Sequence, residues 1–159
     1  MKIVEPGWPS PPSEDRLRRF QETNGVVLPK SFVEVLLETN GGVPLENTFE
    51  TTDGQKRLVE RFLSLIDRSS SAGDSGWYDI DVVISQVLDR LTNDPDSTVS
   101  VLVPFAALFA GDFVCFDYRN GPAPTIVVWD HEASEELSPV VTEVATNFDA
   151  FLSMLRASP

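Results

Sequence analysis

Residues 111–132 read GDFVCFDYRNGPAPTIVVWDHE, and this stretch decides the fold class. Phe113-Val114-Cys115-Phe116 and Ile126-Val127-Val128-Trp129 are short β-branched and aromatic runs, the composition that suits a pleated, buried surface. Gly111-Asp112 turns the chain into the first run, and Asn120-Gly121-Pro122 separates it from the second. So short a connection implies an antiparallel pair. Upstream, the Val-rich residues 99–104 read as a further strand.

Helices bracket this sheet. Ser13 can cap a helix whose first turn carries Glu14 and Asp15 and whose apolar face holds Leu17 and Phe20, with Asn24-Gly25 as its stop. Ser31 and Glu34 have the spacing of a capping box, in which hydroxyl and carboxylate satisfy each other's free amides. Phe32, Val35 and Leu36 line the helix that follows, and Asn40-Gly41-Gly42 turns the chain out of it. Ile80, Val83, Ile84, Val87, Leu88 and Leu91 recur at helical steps up to Asn93-Asp94-Pro95. Asn147 can cap a final helix with Phe148, Phe151, Leu152 and Leu155 on one face. Residues 58–66 suit a helix or a buried strand equally, and periodicity leaves both open. Residues 67–76 form a Ser/Gly/Asp loop. The Pro-rich start, Pro6-Gly7-Trp8-Pro9-Ser10-Pro11-Pro12, reads as an extended arm over residues 1–12, ahead of one α+β domain over residues 13–159.

A chain of 159 residues buries about 70% of the surface it exposes when unfolded, so it can build its own core. Its formal charge is -13. Residues 1–70 hold nine basic and eleven acidic side chains, net -2, whereas residues 71–159 hold three and fourteen, net -11. The sign argues against a phosphate-backbone binder and for a basic partner, with simple solubility as the bland alternative. The single Cys115 precludes an internal disulfide and fits a reducing compartment. The N-terminus lacks the apolar run of a secretory signal, and no apolar stretch is long enough to span a bilayer. The expectation is a cytoplasmic protein without a membrane association.

Chemistry is sparsely signalled. One histidine and one cysteine cannot build a structural zinc site. A centre made of His131 with Asp130 and Glu132 is disfavoured, because neighbours in an extended segment point to opposite faces. Cys115, inside an apolar run, reads as a small hydrophobe that lacks an activating base. The glycine clusters have neither P-loop nor dinucleotide-binding spacing. Trp77, Tyr78 and Trp129 would anchor a protein partner if exposed and are ordinary core if buried, and core is the favoured reading.

The order of these segments resembles the SUKH superfamily of bacterial immunity proteins, which includes the domain of fungal cell-wall assembly regulators. The resemblance rests on LP at 28–29, NGG at 40–42, FLSL at 62–65, VPFA at 103–106, GDFVCFDYR at 111–119, IVVWDHE at 126–132 and NFDAFLSML at 147–155. It implies a mixed, mainly antiparallel sheet flanked by helices, and it turns residues 58–66 into a strand. It also implies a non-enzymatic protein, with no catalytic residue, metal or cofactor, that binds and neutralises a cognate toxin, often a nuclease. The Pro-rich arm, the serines at 69–71 and the acidic second half depart from the family pattern.

Together these readings imply an immunity protein that covers the cationic active site of a toxin and binds no nucleic acid itself. The oligomeric state stays open. The expected contact acids are Asp79, Asp81, Asp112, Asp117, Asp130, Glu132, Glu135 and Glu136, with Trp77 and Tyr78 as anchors. The alternative is an intracellular regulatory or scaffold module that binds a host protein. An enzyme using the acids with a divalent metal would need several carboxylates converging on one ion.

Overall fold

The chain opens with strand β1 (Ile3–Pro6), passes through helices α1 (Glu14–Asn24) and α2 (Lys30–Glu38), and forms β2 (Gly42–Pro44), β3 (Glu46–Glu50) and β4 (Lys56–Phe62). A 3₁₀ turn (Gly73–Tyr78) leads into α3 (Ile80–Leu91). Then follow β5 (Leu102–Leu108), β6 (Phe113–Asp117), β7 (Thr125–Trp129), β8 (Val141–Ala145), α4 (Phe148–Met154) and β9 (Arg156–Ala157). The computed structural model describes residues 1–6, 9–67 and 73–159. Gly7 and Trp8 of the proline-rich arm, and residues 68–72 of the Ser/Gly/Asp loop with its three serines, lie outside the described residues.

The strands make one sheet ordered β1-β2-β4-β5-β6-β7-β8, from which β3 branches by pairing with β4 and β9. The pair that decides the fold class aligns as read, from Phe113 opposite Trp129 to Asp117 opposite Thr125. Every strand ladder is antiparallel. The mixed character expected of the sheet shrinks to one isolated parallel bridge between Ser64 and Asp79. The sheet curls until Thr52 Oγ1, in the β3–β4 turn, donates to Glu143 O of β8 at 3.3 Å.

Side chains alternate across the pleat and divide the core between two helical layers. On one face the Phe32 ring of α2 lies 5.0 Å from Phe116 and 5.4 Å from Phe148 of α4, and Phe105 stacks on Phe116 at 4.3 Å. On the other face Phe113 stacks on Trp129 at 5.9 Å, and Trp129 Nε1 donates to Arg90 O of α3 at 3.0 Å. The fully buried Trp129 is therefore core. α3 buries Ile80, Val83, Ile84 and Leu91, the stripe its periodicity marks. Among the described residues no helix is long and apolar enough to cross a membrane.

Three local readings need correction. The capping box at Ser31 and Glu34 does not form: α2 begins two residues earlier, with Pro29 at the cap position, no side-chain cap bond, and Pro29 O accepting from the Phe32 and Val33 amides at 3.0 Å each. Proline's fixed φ already sets the helix entry, which removes the serine from the cap. Residues 58–66 are a strand only as far as Phe62. The strand expected over residues 99–104 is β5, which begins at Leu102 and runs to Leu108, because Ser100 Oγ accepts from Leu102 N at 3.1 Å and holds the preceding turn.

Candidate functional site

The expected contact residues fall at opposite ends of α3, with Asp117 apart from both. At the N-terminal end, the 3₁₀ turn is held to the segment after β4 by its backbone, since Ser64 N donates to Tyr78 O at 2.8 Å. Its side chains stay at the rim. Trp77 is 65% exposed and Tyr78 36%, so for these two aromatics the core reading fails. The Arg61 guanidinium carbon lies 4.5 Å from the Tyr78 ring centroid, a cation–π contact.

Asp79 is a correction. It is 0% exposed, caps α3 through bonds from the Asp81 and Val82 amides at 2.9 and 3.3 Å, and accepts from Ile66 N at 2.7 Å. The Arg16 guanidinium, itself buried, lies 3.3 Å from Asp79 and 2.7 Å from the half-exposed carboxylate of Asp81. Burial acts most strongly on the Asp79 carboxyl and raises its pKa against the bonds from Ile66, Arg16 and Val82. This side chain joins α1, the segment after β4 and α3, and it is closed to a partner.

At the C-terminal end, the segment after β7 is tied onto α3. Arg90 Nε donates to Ser134 O at 3.1 Å and its terminal nitrogen to His131 O, while Leu137 N donates to Asp89 O at 2.6 Å. Asp130 is half-buried and turns the chain by accepting from the Glu132 and Ala133 amides at 3.0 and 2.9 Å. Glu132, Glu135 and Glu136 are exposed on that turn. They stand beside the last turn of α3, beyond the kink at Val87, where φ is -129 and ψ is 16.

Asp112 and Asp117 face inward and are further corrections. The Asp112 side chain is 12% exposed and bonds to Arg57 at 2.7 Å, to His131 N at 2.9 Å and to His131 Nδ1 at 2.6 Å. Burial raises its pKa, but the bonds from His131 and Arg57 outweigh it and hold the carboxyl below its ordinary range. Asp117 is buried and grips its neighbour Arg119 through both carboxylate oxygens, at 3.0 and 2.9 Å.

Asp112, Asp130 and His131 bring ligand-type atoms within 4.8 Å of one another, so the histidine gathers Asp112 in place of Glu132. The geometry fits a hydrogen-bonded cluster better than a metal centre. Asp112 Oδ1 sits 2.6 Å from Nδ1 itself, its other oxygen is on Arg57, and Asp130 Oδ1 caps a turn. Cys115 is fully buried, and burial pushes its thiol pKa up, away from the thiolate a nucleophile needs.

Sequence reasoning missed Phe109, 65% exposed at the tip of the β5–β6 hairpin. An apolar residue directly before a turn reads as the last residue of a buried strand, and nothing in the local pattern marks it as a tip.

In comparison with known proteins, the family model SUKH_6, described as SMI1-KNR4 cell-wall, matches residues 14–152. No curated protein and no solved structure matches the chain. The matched span runs from the first turn of α1 into α4 and so takes in nearly the whole sheet and both helical layers. The chain belongs to the SMI1-KNR4 family of the SUKH superfamily.

Proposed function

We propose that this protein is a non-enzymatic, cytoplasmic immunity protein that binds a cognate basic toxin, a nuclease domain in the first instance, and covers its active site. The observation that carries the reading is the exposed carboxylate set Glu132, Glu135 and Glu136 on a turn fastened to α3, in a family domain whose residues 71–159 carry net -11. A nuclease must be cationic where it meets phosphate. An acidic inhibitor competes for that surface and gains association rate from steering.

The test is association kinetics with the toxin domain encoded beside this chain's gene. The on-rate should fall steeply between low and physiological salt, and Glu135→Gln with Glu136→Gln should lower it more than it raises the off-rate. A salt-independent on-rate removes steering. No binding at micromolar concentration sinks the immunity reading for that pair. The cell-wall description of the family favours a second reading, a regulatory or scaffold module holding a host protein. An isolated gene, with no toxin gene as neighbour, would support it.

A further inference from the structure

The two groups of expected contacts are joined by a surface that neither charge nor motif reveals. A register shift between Val59 and Arg61 interrupts β4, whose core-facing Val59 and Phe62 are three residues apart instead of two. Glu60 and Arg61 therefore share the side away from Val59 and Phe62, the behaviour of a β-bulge, with Glu60 exposed and Arg61 buried beneath the 3₁₀ turn. Arg61 lies under Tyr78 and pairs across the ladder with Ala107. Phe109 follows two residues along β5, about 7 Å away and on the same side by the pleat. Its amide still bonds to β4, at Leu58 O, 2.9 Å.

Trp77, Tyr78 and Phe109 thus make an exposed aromatic row along β4 and β5, with the buried Arg61 beneath Tyr78 joining its two ends, beside α3, which packs on β5. The Phe109 end of the row is stiff. The hairpin tip is closed by Leu108 N on Asp112 O at 2.9 Å, and Asp112 is itself fixed by Arg57 and His131. Ala110 holds φ 77 there, a conformation that costs an L-residue strain and that a relaxed loop would avoid.

We infer that this row is the affinity-determining contact with the basic partner, while the acids at the two ends of α3 guide its approach. The inference rests on the immunity reading. Trp and Tyr are residue types that dominate binding energy when an interface covers them, and Phe is enriched in interface cores. The occupant is a cationic protein surface, because the exposed Glu60 lies within the row, the half-exposed Asp81 at one end and the exposed Glu132 at the other. A partner of the same sign would be repelled.

The experiment measures association and dissociation of the full chain with the toxin domain encoded beside its gene, comparing Trp77→Ala, Phe109→Ala and, as a remote exposed control, Val27→Ala. The first two should each raise the off-rate at least about tenfold, with the on-rate and its salt dependence unchanged and with no loss of thermal stability, whereas the control should change neither rate. Binding by the parent chain with an off-rate indifferent to both aromatic variants overturns the row and leaves the immunity reading standing. No binding by the parent chain overturns both. A concentration-dependent dimer abolished by Trp77→Ala assigns the row to a second copy of this chain and also overturns the inference.

Discussion

Asp79 and Asp112 carry charge into the fold under opposite terms. Because burial raises the Asp79 pKa above its unfolded value, near 3.9, its contribution favours folding at low pH and is lost as pH rises through the raised folded value. Asp112 is the reverse: its folded pKa is depressed, so its contribution is complete above about pH 4 and is lost as pH falls through the folded value. Stability measured by urea unfolding from pH 6 to pH 2 should therefore fall more steeply for the parent protein than for Asp112→Asn, the two curves converging at the acid end. Truncating Asp79→Ala strips Arg16 of one of two carboxylates inside the fold and uncaps α3, so a loss of about 3 kcal/mol is expected at pH 7. Glycine positions separate in the same way. At Gly41, φ is 91 and an added Cβ would lie 2.8 Å from Phe62 O and 2.5 Å from Ser64 Oγ, whereas at Gly25, φ is 65 and nothing lies within 4 Å. Gly25→Ala should cost about 1–2 kcal/mol of left-handed strain, and Gly41→Ala clearly more, read as the gap between their thermal midpoints.

Helix entries show which elements were legible in the sequence and which were not. Asn147 caps α4 as its spacing suggests, accepting from Ala150 N at 2.8 Å, and Ser13 caps α1 by accepting from Arg16 N at 3.1 Å. The equally regular Ser31 and Glu34 do not cap, because Pro29 already occupies that position in α2. Asn147→Ala should thus cost about 1 kcal/mol, while Ser31→Ala stays within about 0.5 kcal/mol, a contrast that paired denaturant titrations resolve. Strands followed the same logic of local against distant causes. β6 and β7 announce themselves through Val, Ile and Phe, yet β8 does not, since Thr142 and Glu143 at its exposed middle break the apolar pattern. β9 exists through β3, Thr48 facing Arg156 across 108 residues, and no local window holds that information. The candidate surface was legible in part for the same reason. Aromatic identity and loop position pointed to Trp77 and Tyr78, but the burial of Asp79, Asp112 and Asp117 depends on partners supplied by Arg16, Arg57, His131 and Arg119. Charge counting treats every carboxylate as exposed, and only packing distinguishes those that are spent inside.

At the scale of the whole molecule, the charge of -13 acts on folding and on binding with opposite signs. Like charges brought together by folding repel, and the effect is largest where they are densest, on the turn that carries Glu132, Glu135 and Glu136 beside the last turn of α3. Added salt screens that repulsion, the Debye length falling from about 30 Å at 0.01 M to about 8 Å at 0.15 M, so the protein should become more stable over this range. The same change should slow association with a cationic partner. Neutralising Glu135→Gln and Glu136→Gln imitates salt at one place: the thermal midpoint should rise by a degree or two while the on-rate drops. If the acids serve only solubility, the midpoint still rises but the on-rate is indifferent, because a solvating charge has no partner to guide. A double variant that is more stable and slower to bind would mean that the chain keeps an electrostatic cost in its fold for the sake of the encounter. That outcome separates a binding surface from a merely acidic one without requiring the toxin's chemistry to be known in advance.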